Sequence, residues 1–182
     1  MLVLTEQVLA EFGGLRGVMQ ANETQLISCC SIGPAKSAQL SAALEMPRRF
    51  LQAGMEKGES MSDPEITRQF LQIQLRGYTR EVFACLFREN QHRLIKYEEL
   101  FLGTIDGASV HPREVVKKVL EFNAAAVIFA HNHPSGVSDP SQADEGMTER
   151  LCSALRILEI WVLDHLVEGD TEITSFAERG LL

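Results

Sequence analysis

Between residues 82 and 167, short apolar runs of strand length alternate with segments whose apolar residues recur at helical spacing. That alternation constrains the fold more than any other feature of the chain. Residues 82–87 read as a strand, a polar turn follows at Glu89-Asn90-Gln91, and residues 94–101 read as the hairpin or meander partner. Residues 112–122 have helical spacing at Val115, Val116, Val119 and Leu120, with Pro112 suited to a first turn. The unbroken apolar run at residues 124–130 predicts a strand covered on both faces, because a half-exposed strand would alternate. A loop with Pro134, Gly136 and Pro140 leads to a helix over residues 142–158, and residues 160–167 close as a second buried strand. The expected class is α/β, with a mixed sheet flanked by helices.

Ahead of this region, residues 5–51 carry apolar residues at helical spacing (Val8, Leu9, Phe12, Leu15), interrupted by Gly13-Gly14. A polar stretch at residues 54–63, with two glycines and no periodic apolar face, marks the expected boundary. Pro64 then opens a new helix, capped by Asp63 or Ser62 and continuing through Ile66, Phe70, Leu71 and Leu75. A chain of 182 residues has room for one domain and a small appendage. The expected organisation is therefore a helical segment over residues 1–55 and a main domain over residues 60–182.

With 45% hydrophobic and 23% charged residues the chain has the composition of a globular protein rather than a disordered or membrane one. Its longest apolar run, residues 124–130, is far short of the roughly 20 residues that cross a bilayer. The N-terminus has no basic region before its apolar stretch, which Glu6 interrupts. Neither a membrane segment nor a secretory signal is expected, and a cytoplasmic location follows. The 17 basic and 25 acidic side chains leave a net charge of −8. Residues 1–55 hold four of each, so the whole excess falls on the main domain and argues against nucleic acid as its substrate. The four cysteines include no CxxC pair and read as reduced core residues.

The stretch Ala130-His131-Asn132-His133-Pro134-Ser135-Gly136, followed by Pro140, Ser141 and Asp144, carries the chemistry. Two histidines at i and i+2 on extended backbone project to the same side and can reach one ion. The Pro134 and Gly136 turn can return the chain so that Asp144, in the first turn of the next helix, adds an anionic ligand. Two neutral imidazoles and a carboxylate form the ligand set of a catalytic Zn²⁺ that keeps a fourth position for water. Such an ion lowers the pKa of that water to about 7. Taken alone, Ser141-x-x-Asp144 is an ordinary helix cap, and the two roles are compatible. A proton acceptor is also needed. Glu81 can face the site if its strand lies beside that of residues 124–130, with Glu98, Glu99 and Asp106 as competitors. His165 reads as a hydrogen-bonded core histidine, with support of a metal ligand as the alternative. His111 reads as a cap and His92 as solvated.

His131-x-His133-Pro134 with Ser141 and Asp144 resembles the JAMM (MPN-plus) metalloprotease signature. His-Asn-His-Pro-Ser-Gly resembles, more narrowly, the bacterial RadC family. So do Gly103-Thr104, residues 110–114 (Val-His-Pro-Arg-Glu), Leu163-Asp164-His165 and Ser175-Phe176, over a stretch from about Ser60 to Leu182. The resemblance implies a JAMM/MPN-type mixed sheet and a zinc-dependent metallopeptidase or isopeptidase, in which metal-activated water attacks an amide carbonyl of a peptide or protein substrate. His131, His133 and Asp144 would hold Zn²⁺, Glu81 would act as general acid/base, and Ser141 would donate to the oxyanion. It also implies a chain that begins further upstream.

The segment from Ile32 to Lys36 (Ile-Gly-Pro-Ala-Lys) resembles the hairpin of a helix-hairpin-helix module, in which loop N–H groups cradle a DNA phosphate. Ser31 stands where a glycine is usual, Ser37 replaces a small apolar residue, and Lys36 has few basic neighbours. A protein-packing hairpin is expected, with weak DNA contact as the alternative. Two competing functions accompany the hydrolase: a DNA-associated repair accessory protein and a non-catalytic scaffold. A zinc nucleobase deaminase is disfavoured, because the H-x-E and P-C-x-x-C signatures are absent.

Overall fold

The computed structural model describes residues 2–29, 32–57, 63–103, 110–170 and 172–182. Cys30, Ser31, Thr104, Asp106 and residues 58–62 of the expected boundary lie outside them. The chain divides into two compact units, Met1–Leu51 and Gln52–Leu182.

The first unit contains α1 (Leu2–Glu11), α2 (Leu15–Gln20), α3 (Glu23–Ser28) and the start of α4 (Pro34–Lys57). Gly13 and Gly14 turn the chain between α1 and α2 at φ +69° and +109°, backbone that a side chain would strain. Asn22 and Gln25 form a reciprocal cap on α3. Val8, Val18, Leu26, Cys29 and Ile32 make a small core, which gives the Ile32 hairpin a packing role. Helix α4 continues to Lys57, so residues 54–57, expected as linker, are helical. A Gln52 to Glu56 hydrogen bond at i,i+4 supports this stretch, within which Met55 is buried.

The second unit opens with α5 (Pro64–Leu75), where Asp63 caps the helix by accepting from the Glu65 N–H. Strands β1 (Val82–Arg88) and β2 (Leu94–Leu102) form an antiparallel hairpin. Then come α6 (Pro112–Glu121), β3 (Ala126–Asn132), α7 (Gln142–Arg156), β4 (Trp161–Glu168), β5 (Ile173–Ser175) and α8 (Phe176–Arg179). The sheet order is β2-β1-β3-β4-β5; β3 and β4 are parallel, joined by α7, and the other pairs are antiparallel. This is the expected mixed α/β architecture. On one face Phe83, Cys85 and Phe87 of β1 and Val127 and Phe129 of β3 pack against Val115 and Val119 of α6 and Met147, Leu151 and Leu155 of α7. Both central strands are buried along their whole length.

Strand β3 lies two residues beyond the apolar run that predicted it. Ala124 is consumed in ending α6, where Asn123 takes φ +49° and the Ala124 N–H bonds back to the Val119 carbonyl. At the other end, pairing carries His131 and Asn132 into the buried sheet. Strand β4 is buried only in its second half, because β5 covers Leu166–Glu168 and leaves the first half at an open edge, with Trp161 73% exposed. Strand β5 and α8, of three and four residues, are too short for a periodic signal. No helix among the described residues is long and apolar enough to cross a membrane.

Ser37 on α4 is fully buried, and its hydroxyl meets no hydrogen-bond partner among the described residues. Ser37→Ala removes that desolvated hydroxyl and improves helix propensity, so the unfolding free energy should rise by about 0.5–1 kcal/mol. Chemical denaturation of the full chain measures this; a loss of stability would reveal a polar partner for Ser37.

Candidate metal centre

The site is built where β3 leaves the sheet. His131 projects from the penultimate residue of β3 toward α7, on the same side as Phe129. His133 follows one residue past the strand, its backbone still tied to β4 by its N–H to the Glu168 carbonyl at 2.9 Å. The loop beyond is pinned by backbone contacts. Gly136 N–H donates to the His133 carbonyl, and Asp170 N–H donates to the Gly136 carbonyl. Gly136 has φ +84°, and a Cβ there would fall 2.5 Å from Asp170 Oδ2. A Cβ on Gly169 would fall 2.6 Å from the Gly136 carbonyl oxygen, so the two segments touch through positions that lack side chains.

After that loop, α7 begins on Ser141 and Asp144, which cap each other. Asp144 N–H donates to Ser141 Oγ at 3.2 Å, while Ser141 N–H and Oγ donate to Asp144 Oδ2 at 2.7 and 2.6 Å. The cap turns the Asp144 carboxylate toward the histidines. His131 Nε2 lies 3.0 Å from His133 Nε2 and 3.5 Å from Asp144 Oδ1, and His133 Nε2 lies 3.4 Å from Asp144 Oδ2. These three side chains form the cluster of potential metal ligands, one atom from each lying within 4.8 Å of the others.

The donor chemistry fits a metal ion. His133 Nδ1 lies 2.7 Å from the Val137 carbonyl, which can only accept, so Nδ1 carries the proton and Nε2 presents a lone pair. Two ring nitrogens and a carboxylate oxygen converge as an N/O set suited to a divalent ion. His131 is fully buried and His133 is partly exposed, so the cluster is closed on one side and open on the other.

Glu81, half-buried, lies one residue ahead of β1. The β1–β3 register pairs Phe83 with His131; extended by two residues it sets Glu81 opposite His133. Its charge is close enough to raise the His133 pKa. Of its competitors, Glu98 pairs with Lys118 at 2.8 Å and Glu99 accepts from Tyr78 Oη at 2.7 Å. His111 stands at the cap position of α6 without a side-chain capping bond, and His92 is an exposed turn residue at φ +62°. Cys29 and Cys85 are buried, as expected of core cysteines, whereas Cys152 is partly exposed.

Three further residues lie near the site, and of these only His165 was legible in the sequence, as the buried, hydrogen-bonded histidine that it is. Asn132, between the histidines but facing the other way, accepts from Val82 N–H at 2.8 Å and donates to the Arg80 carbonyl at 3.0 Å, bracketing Glu81. His165 lies 2.8 Å from His131 Nδ1, and Thr148 lies 2.6 Å from the far nitrogen of His165. The i,i+4 spacing of Asp144 and Thr148 on one helix face was the available hint.

Burial pushes the His131 pKa down to about 4, opposed by Asp144, and holds that of His165 well below the usual imidazole range. The Asp144 carboxylate raises His133 against the effect of burial. Burial alone would raise Asp144, but His133, His131 and the Ser141 donors hold it well below the ordinary carboxylate range.

A family model described as "RadC-like JAB domain" matches residues 61–181. A UPF0758 protein of Thioalkalivibrio sulfidiphilus is 56% identical over 179 residues, covering 98% of this chain and 80% of that protein. UPF0758 proteins of Nitrosococcus oceani and Marinobacter nauticus are 54% and 53% identical, covering 98% and 100% of this chain and 80% and 81% of their own lengths.

The buried histidines set a pH dependence. The folded state keeps His131 neutral down to about pH 4, whereas an unfolded histidine gains its proton near pH 6.5. Between those values the unfolded chain binds more protons, so this contribution is present above about pH 6.5 and lost as pH falls, with His165 acting in the same sense. His133 acts in the opposite sense, its contribution being lost as pH rises through its raised folded value. The metal-free protein should have a lower denaturation midpoint at about pH 5 than at about pH 7; a midpoint that is equal or higher at pH 5 would contradict burial as the controlling effect.

Proposed function

The chain belongs to the RadC-like JAB domain family, and on that footing we propose that it is a zinc-dependent peptidase or isopeptidase, hydrolysing an amide bond of a peptide or protein substrate. The observation that carries this reading is the convergence of His131 Nε2, His133 Nε2 and the Asp144 carboxylate at a partly open edge of the domain. Those three side chains would hold the ion, which when bound supplies the Lewis acidity that makes water nucleophilic near neutral pH.

The remaining work falls to this chain's own groups. Glu81, opposite His133 in register, would take the proton from the attacking water and return it to the leaving amine, the ordinary duty of a general acid/base. Ser141 would donate to the oxyanion that develops on the attacked carbonyl. Its hydroxyl now donates to Asp144 Oδ2, so that role requires the hydroxyl to turn. The Ser141 N–H stays on the same Oδ2 at 2.7 Å, which would keep the carboxylate oriented while the hydroxyl is used elsewhere.

Metal content and turnover test the proposal together. Purified without chelator, the protein should carry about one zinc per chain by mass spectrometry, lost in His133→Ala and Asp144→Ala. Glu81→Gln should keep the metal and lose roughly 10²- to 10⁴-fold in peptide or isopeptide cleavage. Cleavage at the wild-type rate by that variant would remove Glu81 from the mechanism, and a folded wild type that takes up no zinc would remove the hydrolase reading.

A further inference from the structure

We infer that Thr148 and His165 act as positioning residues that fix the His131 proton on Nδ1 and thereby keep His131 Nε2 as the lone pair offered to a metal ion. The inference rests on the metal reading of the site, but it is carried by separate proton bookkeeping. Thr148 Oγ1 lies 2.7 Å from the Asp144 carbonyl oxygen and 2.6 Å from His165 Nδ1. A hydroxyl has one proton and a carbonyl oxygen can only accept, so the Thr148 proton goes to Asp144. Thr148 Oγ1 is left as an acceptor, which requires the proton of His165 to be on Nδ1.

His165 is fully buried among Phe83, Phe129 and Phe176, whose ring centroids lie 5.6, 6.0 and 4.7 Å from its own. No carboxylate among the described residues hydrogen-bonds to its ring, and such surroundings keep the imidazole neutral. A neutral ring protonated at Nδ1 presents a lone pair at Nε2. That atom faces His131 Nδ1 at 2.8 Å, so His131 must be the donor. The proton of His131 is thereby placed on the side away from the site, and its Nε2 faces His133 and Asp144 bare. A neutral histidine without such partners favours the proton on Nε2, the form that cannot ligate through that atom.

The geometry couples two ligands through one turn of helix. Asp144 gives its carboxylate to the cluster and its carbonyl to Thr148, one turn further along α7, and the carbonyl contact sets the tautomer of a ligand on β3. His165 reaches His131 from the adjacent parallel strand because the register pairs it with Phe129, two residues before His131.

Ring-nitrogen NMR on the ¹⁵N-labelled, metal-free protein reads the tautomers directly. Both His131 and His165 should be protonated at Nδ1; a His131 protonated at Nε2 and not at Nδ1 would overturn the inference. Chelator competition with Zn²⁺ gives the second readout. Thr148→Val, which keeps the side-chain shape and removes the hydroxyl, should bind Zn²⁺ roughly 10- to 100-fold more weakly. Thr148→Ser, which restores the hydroxyl, should bind as wild type does. A Thr148→Val protein with wild-type affinity would overturn the inference, as would a wild type that binds no Zn²⁺. A wild type with the expected tautomers and Zn²⁺ affinity that hydrolyses nothing would support the relay and sink only the hydrolase reading.

Discussion

The pairing of β1 with β3 is the constraint on which the larger unit depends. Side chains alternate along a strand, so a slip of one residue would turn every side chain of β3 to the opposite face, sending His131 away from α7 and Phe129 out of the core. The register is held where it matters most. Beyond the hydrophobic match of two fully buried strands, Asn132 grips the backbone on either side of Glu81, while the His133 N–H is held by β4. The end of β3 is thus bonded to both neighbours at the point where its histidines emerge. Catalytic geometry of the kind proposed tolerates displacements of less than about 1 Å, and two flanking strands supply that rigidity better than a loop would.

The capping of α7 links helix stability to the placement of the Asp144 carboxylate. Ser141 and Asp144 satisfy backbone and carboxylate groups reciprocally, an arrangement that stabilises a helix by about 1 kcal/mol in ordinary settings. The same bonds orient a carboxylate that would otherwise rotate freely. A residue that reads as a cap and one that reads as a ligand are therefore the same residue, and local sequence preference and site chemistry do not compete here.

Much of this was legible in the sequence, and the failures share a cause. The α/β alternation, the Asp63 and Ser141 caps and the His131, His133 and Asp144 spacing are local patterns, and local patterns survive in a linear text. The end of β3 was misplaced because polar residues are buried there, which apolar runs cannot announce. The burial of β4 was overstated because its exposure depends on how far β5 reaches, a property of another strand. His165 is the hydrogen-bonded core histidine that its sequence context suggests, but Asn132 and Thr148 bond to partners 52 and 4 residues away. Only the Thr148 pair falls within one helical turn. Contacts between strands are invisible until register is known, so the residues that support a site are harder to read than those that compose it.

The loop after His133 shows where such a site is vulnerable. Its path is fixed by the approach of Gly136 to the backbone of Gly169 and Asp170, and that path delivers the Val137 carbonyl to His133. Val137, on the outside of the loop, shows its side chain to water, so substitution there leaves the carbonyl that it offers to His133 in place. A side chain at Gly169 would meet the Gly136 carbonyl oxygen, and one at Gly136 would strain its backbone, so change at either would disturb the loop that holds the imidazole. The rim of the loop could vary while its centre stays intact, provided that two positions without side chains never acquire one.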